Sequence, residues 1–134
     1  MQTFLKYHPQ EIEVNLDSNE KLNFSDVLVF TIANLTQYGA GAQIAPHAKA
    51  DDGYLELVIA LRQDTPKMIA NIGRLFNGTI KKIPEVIFKR FQSLSVKRPI
   101  AASIQIDGEL VNAPTDVKVR VIPKALKVLV PRKQ

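Results

Sequence analysis

Two acidic dipeptides stand where strands would turn. One is Asp107-Gly108, inside Ile104-Gln105-Ile106-Asp107-Gly108-Glu109-Leu110; the other is Asp52-Gly53, with Asp51 before it. A carboxylate held on a stiff strand end can take a proton from a reacting hydroxyl or help to bind a hard divalent cation. The same dipeptide is also a common turn, because glycine accepts positive φ and aspartate bonds readily to nearby backbone. On residue chemistry alone both readings stand at each pair. In the loop Lys49-Ala50-Asp51-Asp52-Gly53-Tyr54, one carboxylate and the backbone carbonyls on either side could serve magnesium, which takes oxygen ligands and keeps several waters. Asp51 and Asp52 repel one another unless they share a cation or face different ways.

Other chemistries find little support. The glycine cluster Tyr38-Gly39-Ala40-Gly41-Ala42 lacks the lysine and helix of a nucleotide-phosphate loop and reads as a tight bend between strands. His8 and His47 are far apart in sequence, without the paired spacing of a zinc site. No serine has the flanking glycines of a nucleophile elbow. Cysteine is absent, so disulfides and thiolate metal sites are excluded; a reducing, cytoplasmic setting is the expectation.

The elements that must position these residues are mostly strands. Glu11 to Leu16 and Lys21 to Phe24 alternate polar and apolar around a turn at Asp17-Ser18-Asn19-Glu20, which suggests a hairpin. Val27 to Leu35 is more continuously apolar and is expected to be a central strand; Leu55 to Leu61 is another strand. Asp64-Thr65-Pro66 opens a helix, with Met68, Ile69, Ile72, Leu75 and Phe76 as its apolar stripe and Met68 and Phe76 as core packing. Pro84 starts a second short helical turn. From Phe91 the pattern returns to strands at Leu94–Lys97, Ala101–Ile106, Val117–Ile122 and Ala125–Val130. Seven or eight strands with one helical insertion predict a mainly β domain, an antiparallel β-sandwich or a partly closed barrel. At 134 residues the length suits one domain with a real core.

Charge is unevenly spread. Residues 1–80 carry six basic and nine acidic side chains, a net of −3; residues 81–134 carry twelve and four, a net of +8. The excess could be a solvated face, or it could attract phosphates on a nucleotide or an anionic lipid surface. Few aromatics interleave with it and no recognition motif accompanies it, so nucleic acid is not expected as a partner. No apolar run is long enough to span a bilayer, so any membrane contact would be peripheral.

The motifs resemble a known family. Tyr38-Gly39-Ala40-Gly41, then Ile44-Ala45-Pro46-His47-Ala48-Lys49-Ala50-Asp51-Asp52-Gly53-Tyr54-Leu55-Glu56-Leu57, is similar to a glycine triplet followed by I-A-P-x-A-x-x-D-D-G-x-L-D-V. Ile106-Asp107-Gly108-Glu109 and the tail Val121 to Pro131 resemble later blocks of the same family, in the same order. It is the family of soluble lipid kinases that includes bacterial diacylglycerol kinases and the sphingosine and ceramide kinases. The resemblance implies a two-domain enzyme that moves the ATP γ-phosphoryl group to a lipid hydroxyl such as that of diacylglycerol. An N-terminal α/β kinase domain with a G-G-D-G-T motif would bind ATP; that motif is absent here, so residues 1–134 correspond to the C-terminal β-sandwich domain, inactive by itself. Carried over by position, Asp107 resembles the catalytic base. Asp52, with the carbonyls of Lys49 and Tyr54, resembles a structural magnesium site. Ala40 replaces the triplet's middle glycine, which admits an altered loop. Strands that pack against another domain would expose apolar surface, so a homodimer is a further expectation. The competing class is a stand-alone, non-catalytic lipid- or anion-binding module.

Overall fold

The structure, a computed structural model, describes residues 11–37, 41–127 and 129. Alternation builds its first hairpin. Strand β1 (Glu11–Leu16) buries Val14 and Leu16, and β2 (Glu20–Ser25) returns antiparallel with Leu22 opposite Val14 and Phe24 opposite Ile12. Between them Asp17 and Ser18 adopt positive φ, 50° and 61°, a conformation that aspartate tolerates better than most residues. The turned Asp17 carboxylate reaches across the molecule, and its Oδ1 accepts the backbone N–H groups of Gln92 and Ser93 at 2.9 Å each.

Two sheets follow from where the chain crosses over. After β2 a single residue, Asp26, leads into β3 (Val27–Ala33), which pairs with β4 (Leu55–Leu61); β4 pairs in turn with β5 (Ile87–Phe91). After β5 another single residue, Gln92, returns the chain to the first sheet as β6 (Ser93–Lys97), beside β1, and β9 (Asp116–Arg120) closes that sheet in the order β2-β1-β6-β9. Val14, Leu16, Leu57, Ile59, Phe91, Leu94 and Val96 fill the space between the sheets. Each large apolar side chain removed from water there contributes about 1.5–3 kcal/mol. The result is an antiparallel β-sandwich with one short helical insertion, as the alternation predicts, and it is not a closed barrel.

The second sheet is covered on its other face too, which explains why its middle strand is apolar throughout except at Glu56. Val58 and Ala33 pack there against Ala45, Ala48, Ile80, Ile83 and Val86, contributed by the loop before β4 and the insertion after it. Among the described residues the strand order β3-β4-β5 makes β4 central and β3 an edge. The expectation that Val27 to Leu35 is central is therefore corrected: its apolar residues face two layers, but among the described residues of this sheet only β4 has a strand on each side.

The insertion is more broken than the apolar spacing predicts. Helix α1 covers only Thr65–Ala70, with Pro66 in its first turn, and gives way at Asn71 to a 3-10 turn over Ile72–Leu75. Asn71 and Gly73 are poor helix formers placed together, and Asn71 Nδ2 donates to the carbonyl of Lys67 rather than leaving the ladder intact. Phe76 is 57% exposed and so is not core; Met68 is half-buried. Pro84 starts a turn rather than a helix, and β5 begins at Ile87, before the expected return to strands at Phe91.

Strands β7 (Ala102–Ile106) and β8 (Glu109–Ala113) form a hairpin of their own, paired with no other strand among the described residues. Arg98 ties its base to the sandwich by donating to the carbonyls of Ala113 and Pro114, at 3.2 and 2.6 Å. Residues 125–127 are not strand, and the rest of the expected Ala125–Val130 strand, like the bend at Tyr38-Gly39-Ala40, lies largely outside the described residues.

Candidate functional site

Asp107 occupies the tip of the β7–β8 hairpin. Ile106 pairs with Glu109, leaving a two-residue loop of Asp107 at φ 48° and Gly108 at φ 88°. Both positive values fit the type I′ turn whose twist matches two strands, and aspartate followed by glycine is among its preferred sequences. The turn therefore accounts for both residues, and it also presents the Asp107 carboxylate to solvent on a defined support. Asp107 makes no hydrogen bond or ion pair among the described residues, so its oxygens are available to a hydroxyl brought to the tip.

The second acidic loop is closed on itself. Gly53 takes φ 76°, and the Tyr54 N–H donates to Asp52 Oδ1 at 3.0 Å, so the carboxylate bridges the turn it belongs to. Asp52 Oδ2 accepts Arg90 Nη2 at 2.6 Å, and the Arg90 guanidinium lies over the Tyr54 ring, 4.5 Å from its centroid. With only 20% of its side chain exposed, Asp52 is the sheltered member of the acidic pair; Asp51 and Lys49 are exposed. The two aspartates thus face different surroundings, which relieves their repulsion. Asn34, Asp51, Asp52, Gly53 and Lys124 share the wall of a cavity of about 250 Å³ beside the loop.

The donor set can be tested against a cation. Every ligand the loop offers is a hard oxygen, which suits magnesium. Among the described residues no cluster of three or more acidic, histidine or cysteine side chains surrounds it, so an ion would depend on backbone carbonyls and retained water. Lys49, Asp52 and Tyr54 fit such an ion in type, with the Arg90 contact to Asp52 as its competitor.

Asp52 and Tyr54 are brought together. Asp107 stands on a different sheet, and no hydrogen bond, ion pair or shared cavity joins it to Asp52 among the described residues. Two further residues were given no site role from the sequence, where Glu56 stands in place of the Asp of the family motif and Arg90 belongs to a basic pair. Glu56 is buried to 2% exposure within β4, and both of its carboxylate oxygens lack a partner among the described residues. Arg90 lies directly opposite it on β5. A lone Glu inside the apolar run Leu55 to Leu61 was the available signal.

A second cavity, about 230 Å³, opens between the outer face of the β3-β4-β5 sheet and the insertion. Val29, Val58, Ala60, Met68, Leu75 and Ile83 are among its lining, in which only Thr65 and Asn71 are polar.

The match to known proteins runs through all of these features. A protein-family model described as "YegS C-terminal NAD kinase beta sandwich-like domain" matches residues 1–130. The chain belongs to that family. It is similar to the diacylglycerol kinase of Mycobacterium tuberculosis, 27% identical over 127 residues that make up 95% of this chain and 40% of the relative. The diacylglycerol kinase of Staphylococcus saprophyticus is 24% identical over 102 residues, 73% of this chain and 32% of its own length. Among solved structures, a diacylglycerol kinase from Bacillus anthracis superposes with a TM-score of 0.65 at 15% identity, covering 86% of this chain and 40% of that one. At that identity the likeness speaks for the fold. The chain thus spans about 40% or less of the length of these relatives, and its YegS-type sandwich carries both acidic loops.

Proposed function

We propose that this chain is the C-terminal part of an ATP- and magnesium-dependent lipid kinase that phosphorylates a lipid hydroxyl such as that of diacylglycerol. The observation that carries the reading is the match to a diacylglycerol kinase over 95% of the chain. In this reading ATP is held chiefly by an N-terminal α/β kinase domain. Phosphoryl transfer then asks this domain for acceptor positioning and a carboxylate near the acceptor oxygen. Asp107, at its exposed hairpin tip, is the base that receives the hydroxyl proton. Lys49, Asp52 and Tyr54 would hold a magnesium ion, which when bound would neutralise the Asp52 charge and stiffen the loop beside β4.

The apolar cavity supports a lipid substrate. Below the roughly 300–1,000 Å³ of clefts that take whole drug-sized ligands, it suits one end of an acyl chain, each methylene of which gains about 0.8 kcal/mol on burial. Leu110 and Ile106, 78% and 52% exposed on the hairpin, offer apolar surface to the partner domain. The stand-alone binding module remains the second reading, favoured by the same cavity, which needs no ATP domain to be filled.

Transfer of the γ-phosphoryl group of ATP to diacylglycerol in mixed micelles tests the proposal. The 134-residue chain alone is expected to give no product, and the chain joined to an α/β domain carrying the ATP-binding glycines is expected to turn over. Activity of the isolated chain would refute the division of labour; a joined protein that folds, binds ATP and stays inactive would favour the binding module.

A further inference from the structure

Glu56 is the one buried charged residue among the described ones, and neither of its oxygens has a hydrogen-bond partner there. An unpaired buried carboxylate is expensive, and native structures rarely keep such a group without a reason such as an absent ion or an alternative arrangement. Its surroundings supply the second of these. In the β4–β5 ladder Glu56 lies directly opposite Arg90, and in the β3–β4 ladder opposite Ala33, so all three share one face of the sheet. Tyr54, two residues from Glu56, is on that side as well, which is how the Arg90 guanidinium comes to lie over its ring. Side chains directly opposite in an antiparallel pair have Cβ atoms about 4.5–5.5 Å apart, well within an arginine's reach. Yet Arg90 is committed to Asp52, at 2.6 Å. Lys89 lies opposite Leu57, on the other face, and pairs with Glu20; Lys81 Nζ is held 5.7 Å from the Phe88 ring centroid. The face therefore holds Glu56 and, beside it, Asp52, with two cations, Lys81 held over Phe88 and Arg90 paired with Asp52.

We propose that Arg90 is a counter-ion shared between two carboxylates: it holds Asp52 while the 49–54 loop is free of cation and passes to Glu56 when a divalent cation takes Asp52. The inference rests on the magnesium reading of that loop and adds two residues which that reading does not use. Each state then satisfies Asp52. The cation-bound state alone also satisfies Glu56, so cation binding repairs the buried defect. Arg90 suits the exchange because its guanidinium can fork to either carboxylate and stack on Tyr54 in both positions. Glu56 and Arg90 are positioning residues, acting on the cation through the partner they share with Asp52.

Calorimetric titration of the full chain with Mg²⁺ tests this, using the wild type, Glu56→Gln, Arg90→Gln and the double variant. Glu56→Gln should weaken Mg²⁺ binding about tenfold by removing the charge that rewards Arg90's departure. In the Arg90→Gln background the same change should do nothing. An equal loss in both backgrounds would make Glu56 a direct contributor to the ion and overturn the exchange, as would no loss in either. A wild-type chain that binds no Mg²⁺ would remove the cation site itself, whereas binding without coupling removes the exchange alone. Should Glu56→Gln misfold, the wild type still decides. The Nε–H resonance of Arg90 must move on saturation with Mg²⁺, and a stationary resonance would sink the proposal.

Discussion

At the scale of single residues, the hairpin tip separates what Asp107 does for the fold from the catalytic role proposed for it. The φ of 48° suits Asn as well as Asp, since both tolerate the left-handed region. Asp107→Asn therefore keeps the turn and removes only the carboxylate. In the two-domain kinase proposed above it is expected to lower turnover by roughly 10²–10⁴-fold, with ATP binding and thermal unfolding unchanged. Asp107→Ala should match that loss and also destabilise the hairpin by about 1 kcal/mol, the penalty of positive φ for alanine. If Asp107→Asn turns over normally while Asp107→Ala does not, the carboxylate serves the turn alone. Steady-state kinetics and unfolding curves of the two variants decide this. Asp52 has no such simple substitution, because its two oxygens serve the loop and Arg90 at once.

At the scale of elements, the sandwich is pinned where its chain crosses between sheets. The Asp17 carboxylate takes two backbone N–H groups at the β5–β6 corner, so Asp17→Ala strands both donors and places alanine at positive φ. A loss of about 1.5–3 kcal/mol is expected from the charge-assisted bonds, read from chemical denaturation; a loss below 0.5 kcal/mol would assign the corner to water. The strands on either side show how far sequence alone could go. β1, β2, β4 and β6 were legible because one face of each is wet or both are dry, and period two or a nearly continuous apolar run follows directly. β5 was not, since Lys89-Arg90 reads as a charge pair until Lys89 is seen bonded to Glu20 and Arg90 to Asp52. β8 hid for a different reason: its Leu110 and Val111 are exposed, so no burial pattern marked it. The helix was over-read because apolar spacing ignores the cost of Asn71 and Gly73. The acidic loops could be found by spacing and resemblance; for Glu56 the sequence offers a lone Glu in an apolar run, but that it is buried with no partner among the described residues follows only from the packed layers.

At the scale of the whole molecule, charge and apolar exposure meet on the helical insertion. Much of the net +8 of residues 81–134 is dispersed: Lys89 and Arg90 are paired, and Lys97 stands between Glu13 and Asp116 in the ladder. Lys81, over the Phe88 ring, and Lys82 are exposed and follow Ile80, which lines the apolar cavity together with the exposed Ile69 and Ile72; Phe76 is exposed too. No helix among the described residues is long and apolar enough to cross a membrane; under the proposed lipid-kinase function, contact with lipid is expected at the membrane interface. Lysines supply attraction to anionic headgroups, about 1 kcal/mol each and screened by salt; the apolar residues supply insertion. Sedimentation with phosphatidylserine-containing vesicles should therefore exceed that with neutral vesicles and fall in high salt. Lys81→Glu with Lys82→Glu should abolish the anionic preference, roughly a tenfold or greater loss for two charges reversed. Phe76→Ser should weaken binding to both kinds of vesicle without changing their ratio. Equal binding of the wild type to neutral and anionic vesicles would leave the basic residues as a solvated face, and a Phe76→Ser variant that binds normally would place the membrane contact elsewhere on the sandwich.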